Sequence, residues 1–486
     1  MSLIKSILPL LGVLAGVFAL ACTSGAGEED RTVDSDAGWL KNSAKTGDEL
    51  FGRIKVAVDS VRLIDTHEHQ VSEKYWLENE YSLFSWFIQP WFGQYAGLDM
   101  ISAGMSPQDM EKLRDPSVPM EQRWELVAPW WPFARTTGFG QSVRLAARDI
   151  YGIKRIDDTS WEELNKRIVA SHKAGHYRRV LYEMSGIDVI ILDRNVRADP
   201  YVHSDFVKED VRPRVVLVKR FDDTFIRLTP DSLGLIERDW GEHVDDMDEL
   251  LAALDGEFER MERSGVYVGV KCAMAYDRIV HYEDAPRSEA EKIFYRIRGG
   301  ETVKDIERRP FEDFMLNEVA RRVGERGLVM QVHAGILAGG DANVTRTSVT
   351  HMNSLFARHP KTRFSVFHGS FPYMGELAAI AKNMPNVYID NCWMPIISPS
   401  QTKQWMHAWI ETVPLNKLMG FGGDYNFPEG TYGHSLVARH ILADVLTDKV
   451  REGYFTVGEA SWAARRILRD NAIDLFSLER FVPNGD

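Results

Sequence analysis

The sequence predicts a (β/α)8 TIM barrel, and three observations predict it. Eight short apolar runs recur after residue 60, each reading as a strand buried on both faces. Longer amphipathic stretches separate them, which is the strand–helix–strand alternation of a parallel sheet. No glycine-rich phosphate turn follows the first run, so an open doubly wound sheet is disfavoured.

Taken in order, the chain begins with Lys5 and an apolar run from Ile7 to Leu20, closed by Ala19-Leu20-Ala21-Cys22. A membrane span needs ~20 apolar residues, so this shorter run fits a secretory signal. It resembles a bacterial lipoprotein signal. That resemblance implies a signal peptide over residues 1–21, lipidation at Cys22, and a protein anchored in a bacterial cell envelope, facing the periplasm or the surface. Plain cleavage near Ala21 would instead leave a secreted chain with Cys22 free. Residues 22–45, rich in Gly, Ser, Asp and Glu, read as a flexible tether to a body spanning 46–486.

The predicted strands are Val61–Thr66, Asp188–Asp193, Arg214–Phe221, Val266–Ala273, Leu328–Gly335, Arg363–Ser370, Asn386–Cys392 and Lys417–Asp424. Helices are predicted at Asp246–Ser264, Phe311–Arg326, Ser348–His359, Tyr373–Asn383 and Pro399–Thr412, with two closing helices at Gly433–Asp448 and Val457–Leu478. Residues 70–187 are too long for a simple connection. They carry Trp76, Trp86, Trp91, Trp124, Trp130 and Trp131 and helical stretches such as Trp161–Ala174, and read as a helical cap over the C-terminal mouth of the barrel.

Composition narrows the class. Over 486 residues, 58 Lys and Arg against 71 Asp and Glu leave a net charge of −13, and no basic stripe marks a nucleic-acid binder. Three cysteines cannot form a disulfide framework, and Cys272 and Cys392 fall on non-adjacent strands as expected free, buried thiols.

The chemistry lies at the strand ends. In Asp65-Thr66-His67-Glu68-His69, the two histidines are two apart and share a face, so their imidazoles converge as a metal pair requires. His333 and His368 each sit five residues into their strands, and Asp424 closes the eighth. Strands one, five, six and eight thus place ligand-type side chains at one end of the barrel, the catalytic one. Four histidines and a carboxylate suit a divalent ion such as zinc, with manganese as the alternative.

On these residues the chain resembles the amidohydrolase superfamily, from about Val61 to Leu478. The Gly-Asp ending of strand eight and Phe367-His368-Gly369 look most like amidohydrolase family 2, while the long first insertion and the Trp393 region resemble uronate isomerases. The resemblance implies that His67, His69, His333 and Asp424 hold the metal and that Asp424 also accepts a proton from a metal-activated water. It implies that His368 is a ligand or polarises the substrate. Lys271, in Gly269-Val270-Lys271, is implied to be either a carbamylated bridge between two ions or a free ammonium for a substrate carboxylate.

Arg220 at the end of strand three, with Asp193 and Arg194 at the end of strand two, offers either a carboxylate clamp or a structural salt bridge at the rim, and Arg135, Arg144 and Arg148 in the cap are weaker candidates that read as solvated. Tyr373, Trp393 and Asn391 are candidate pocket walls, and His434 lies near the mouth. The leading reading is a metal-dependent hydrolase acting on an amide, ester or lactone of a small polar or carboxylate-bearing substrate. A decarboxylase or uronate isomerase-like enzyme on the same scaffold is the alternative, and a non-catalytic surface binding protein the third reading. The expected partner is a small molecule, with no nucleic acid, membrane contact only through the anchor, and a homo-oligomer left open.

Overall fold

The computed structural model describes residues 48–88, 95–193, 201–208, 210–339 and 343–483. The signal segment, Cys22, the tether, Trp91 and Arg194 lie outside the described residues. No helix of the described residues is long and apolar enough to cross a membrane.

Eight parallel strands follow one another around a nearly closed barrel: β1 (Leu63–Glu68), β2 (Ile187–Leu192), β3 (Arg214–Arg220), β4 (Tyr267–Cys272), β5 (Val329–Val332), β6 (Arg363–Val366), β7 (Val387–Asp390) and β8 (Leu418–Met419). The sheet ladder runs from β1 to β8 in sequence order. Residues at and beyond the ends of β1 and β8 bring the two edges together. Thr66 N donates to Phe421 O (3.2 Å), Asp424 N to His67 O (2.9 Å) and His69 N to Tyr425 O (3.0 Å). These bonds place Asp424 directly against the histidine pair.

Register sets a polar layer inside the barrel. Arg220 pairs with Lys271, Lys271 with Gln331, and Gln331 with Ser365, across β3 to β6. Neighbours in a parallel ladder point to the same face, so these side chains share one side of the sheet.

Except for β1, which runs on to Glu68, the observed strands stop short of the apolar runs at the mouth end. β5 stops before His333, β6 before His368, and β8 spans only two residues. The residues beyond turn sharply inward. His368 (φ 59°), Trp393 (φ 63°) and Asp424 (φ 58°) are left-handed non-glycine residues. That conformation costs such residues energy and concentrates at functional sites.

The helix from Pro399 to Thr412 has its expected bounds, and Met247–Ser264 begins one residue later because Asp246 caps it, accepting from Glu249 N. Ser348–His359 divides into a 3-10 turn (Val349–Met352) and a helix (Asn353–Arg358), and the Phe311 helix starts earlier, at Asp305, running through Pro310. The tail forms Pro428–Arg451, Val457–Arg465 and Asn471–Phe476.

Between β1 and β2 the described residues carry helices including Tyr95–Ala103, Met120–Val127, Gly138–Tyr151 and Trp161–Ser171. The Gly138 helix packs against Pro428–Arg451 at a distance that only glycine allows. A Cβ on Gly433 would meet Ser142 O at 2.0 Å, and on the other side of the Gly138 helix a Cβ on Gly138 would meet Ile396 O of the short helix Met394–Ile397 at 2.2 Å.

A second tie is polar. Glu429, in the first turn of the helix after β8, is fully buried and accepts from Tyr81 Oη (2.6 Å), Tyr151 Oη (2.5 Å) and His176 (2.9 Å). All three donors come from the insertion, so one carboxylate gathers it onto the start of the helix that follows Asp424. Glu429→Ala is expected to cost about 3–5 kcal/mol, because it strands those donors in the interior. The urea midpoint should fall accordingly, and Glu429→Gln should recover part of the loss.

Candidate active site

The mouth cavity is lined by His67, His69, Tyr95, Arg220, Lys271, Tyr276, His333, Trp393 and Asp424, with Ala273 and Ala338 completing the wall. Its volume is about 10 Å3, room for an ion or a single water. A larger ligand needs part of this lining, which includes Tyr95, Tyr276 and Trp393, to move.

Each imidazole is oriented by the nitrogen it turns away from the cavity. His69 Nδ1 donates to Asp193 O (2.9 Å), His368 Nδ1 to Cys392 O (3.0 Å) and His333 Nε2 to Ile336 O (2.7 Å). His67 Nδ1 faces Gln331 Oε1 (3.3 Å), and Gln331 is itself fixed because its Nε2 donates to Thr66 O (2.8 Å). A carbonyl oxygen can only accept, so these partners fix the proton on the outward nitrogen. The inward nitrogens then present lone pairs, the arrangement in which outer partners hold metal-binding histidines.

Those inward nitrogens face acceptors. His69 Nε2 lies 3.2 Å from Asp424 Oδ1, His67 Nε2 lies 3.9 Å from the same oxygen and 3.7 Å from Asp193 Oδ2, and His368 Nε2 lies 3.3 Å from His333 Nδ1. Acceptors this close need a proton or a cation between them. Burial disfavours the proton: it holds the His67 and His333 pKa values well below the usual imidazole range and lowers that of His368 to about 4. The donor set therefore fits a divalent ion. His67, His69 and Asp193 can converge on one point, as can His368, Cys392 and Asp424.

The expected ligand set thus divides in space. His67, His69 and Asp424 come together, while the inward nitrogen of His333 meets His368. Burial pushes the Asp424 carboxyl up, but a proton shared with His69 Nε2 at 3.2 Å, or a cation in its place, together with the Lys271 ammonium holds it below the ordinary carboxylate range.

Lys271 is 2% exposed, and its Nζ sits 3.5 Å over the Phe367 ring. Among the described residues no carboxylate lies within ion-pair distance of it. Burial lowers its pKa to about 8, offset in part by Asp193 and Asp424. A ring face attracts a cation and repels a carbamate, so Phe367 favours the ammonium form. Arg220 also lines the cavity, but it donates to both oxygens of Asp193 (2.9, 2.9 and 2.5 Å). Burial acts to lower its pKa, and Asp193 more than restores it. Its charge is matched by Asp193, the salt bridge at the rim that is the other reading of this arginine.

Trp393 is where the sequence expects it, and its buried Nε1 has no hydrogen-bond partner, a donor left for a ligand. Tyr373 is not in the cavity. It stands at the start of the helix after β6 and donates to Val344 O (3.1 Å). His434 donates from Nδ1 to Gly423 O (3.0 Å), and Asn391 and His434 are both buried outside the mouth lining. Arg135 and Arg144 line a different pocket, and Arg148 pairs with Asp149. Cys272 and Cys392 are free and buried.

Several contributors escaped the sequence reading. Tyr95, from the insertion, donates its hydroxyl to the Asp424 carbonyl and packs on Trp393. Asp65 and Glu68 form a buried layer beneath the site. Asp65 accepts from His67 N (3.2 Å) and Gly423 N (3.0 Å), and Glu68 from Tyr425 N (2.8 Å) and Thr431 Oγ1 (2.6 Å). Burial raises both carboxyls, Asp65 to about 7. Gln331 was legible in principle: it is a polar residue two before His333, on the same face of an apolar strand.

Comparison with known proteins agrees with the barrel fold. The family model described as Amidohydrolase matches residues 280–478. Protein fluG of Emericella nidulans is 29% identical over 186 residues, 37% of this chain and only 21% of that protein's length. The uronate isomerase of Brucella canis is 23% identical over 428 residues, covering 81% of this chain and 88% of the relative. The crystal structure of glucuronate isomerase from Caulobacter crescentus superposes with a TM-score of 0.75 at 18% identity, covering 95% of this chain and 99% of that one.

Proposed function

We propose that this chain, an amidohydrolase-superfamily barrel, is a metal-dependent isomerase that exchanges the aldose and ketose forms of a sugar acid. The observation that carries the reading is the pairing, in one cavity, of the His67–His69–Asp424 cluster with a buried lysine that has no carboxylate partner among the described residues. A substrate with neighbouring oxygens at one end and a carboxylate at the other matches both. The long alignment with uronate isomerases supports aldose–ketose exchange over the other reactions expected of this scaffold.

A divalent ion held by His67, His69 and Asp424, with Asp193 beside them, would polarise the substrate's carbonyl and neighbouring hydroxyl. The Lys271 ammonium and the Trp393 indole N–H anchor the carboxylate. Asp424, kept ionised by its neighbours, takes the proton from the carbon next to the carbonyl and returns it to the former carbonyl carbon, while the hydroxyl proton passes to the carbonyl oxygen. Mass is unchanged and no water is consumed. Arg220 holds Asp193 in place. Tethering through Cys22 would put this activity on an envelope surface.

Hydrolysis of a lactone, ester or amide is the second reading, favoured by the same Asp424 carboxylate, which is equally placed to take a proton from attacking water. The metal-loaded protein should be incubated with glucuronate and followed by NMR. Appearance of the corresponding ketose acid supports the isomerase. Inert glucuronate together with turnover of a lactone or ester panel would overturn it, and released carbon dioxide would indicate a decarboxylase. Binding without turnover of any of these would leave the binding-protein reading.

A further inference from the structure

We propose that the insertion carries a second ligand site, for a small planar carboxylate, in a pocket separate from the barrel mouth. The pocket has a volume of about 170 Å3 against about 10 Å3 at the mouth, and the two share no lining residue. Its walls are Trp124 and Trp131, 6% and 2% exposed. Both indole N–H groups are spent within the protein, Trp124 on Asp158 (2.8 Å) and Trp131 on Ile156 O (3.0 Å). What they offer the cavity is ring surface, which suits a flat apolar body.

The rim is cationic, with Arg135, Arg144 and Arg155. Arg155 pairs with Asp157 at 3.4 Å, and Asp157 also accepts from Thr159 N (3.0 Å). Arg144 donates to Gln141 Oε1 (3.1 Å). Arg135 is exposed, and its guanidinium makes no hydrogen bond or ion pair with any described residue. In a chain of net charge −13, three arginines against two aspartates leave this rim net positive; Arg155 and Asp157 offset each other, and Asp158 accepts from Trp124. A guanidinium recognises a carboxylate through paired N–H donors. The chemistry matched is thus a carboxylate on a ring.

Benzoate titrated into the full chain by calorimetry tests this, with acetate supplying the charge without the ring and benzyl alcohol the ring without the charge. Benzoate is expected to bind saturably and more tightly than either. Arg135→Ala with Arg144→Ala should weaken it about tenfold or more, and Arg135→Glu alone should do likewise without touching the folded core. Lys271→Met should leave benzoate binding unchanged. Non-saturable binding, equal binding of acetate, or a loss that follows Lys271→Met and spares the arginine variants would each overturn the proposal, the last by placing benzoate at the mouth.

Discussion

Purified without chelator, the protein is expected to hold about one divalent ion per chain, and the His67→Ala, His69→Ala double variant to hold none. The expectation follows from the inward lone pairs. Three imidazoles have their outward nitrogen committed to a backbone carbonyl and the fourth to Gln331, so none can relieve its neighbour by turning over. Three buried ligand atoms on one cation are the ordinary minimum for a catalytic zinc site that leaves a position open. Because a metal binds the folded chain and not the unfolded one, its removal should also lower stability, by about 4 kcal/mol when the ion is present at about a thousand times its dissociation constant. Gln331→Leu offers a finer test. It leaves every ligand in place but frees the His67 ring, and should weaken metal affinity by about 10–100-fold. Elemental analysis after dialysis and a urea midpoint with and without metal read both effects. No bound ion after reconstitution with zinc or manganese would sink the site assignment. Two ions per chain would mean a bridged pair and a carbamylated Lys271.

How much of this was legible beforehand depends on which interactions lie close in sequence. The strand runs were readable because a parallel strand covered on both faces must be apolar along its whole length, and Val189 through Leu192 are buried without exception. His67 and His69 were readable because strand period alone aligns them. His333, His368 and Asp424 were readable as a shared register, yet their directions were not. Each lies past the last ladder residue, and His368 and Asp424 reach the cavity through left-handed backbone that no composition signals. Contacts contributed by the insertion were hidden altogether. Tyr95 acts on the Asp424 carbonyl and Tyr81 on Glu429 across more than 300 residues of sequence, with no periodicity to announce either. Arg220 shows the converse, a residue whose two readings, clamp or rim salt bridge, could not be separated from sequence. Its position was correct, but its availability depended on Asp193, and residue type says nothing about whether a charge is already matched.

Lys271→Met is expected to lower kcat/KM for a carboxylate substrate by about 100-fold or more while leaving the protein at least as stable and its metal content unchanged. The activity loss is the price of a desolvated ion pair, about 3 kcal/mol, which corresponds to about two decades. If the ammonium only anchors the carboxylate, the loss should fall mainly in KM, since an interaction equal in ground and transition states leaves kcat alone. A neutral sugar lacking the carboxylate should be unaffected by the substitution. Stability moves the other way for a separate reason. In the free enzyme the ammonium is buried over Phe367 with no carboxylate within ion-pair distance among the described residues, so it pays desolvation without a direct partner. The methionine stem keeps the contact with the ring and removes the charge. A structural lysine predicts the reverse pattern, a lower urea midpoint with kcat/KM falling in proportion. A carbamylated bridge predicts loss of metal from the variant, together with metal content that rises when the wild-type chain is prepared in bicarbonate. Retained metal, an unchanged or higher midpoint and a raised KM are jointly compatible only with a free ammonium placed to receive an anion.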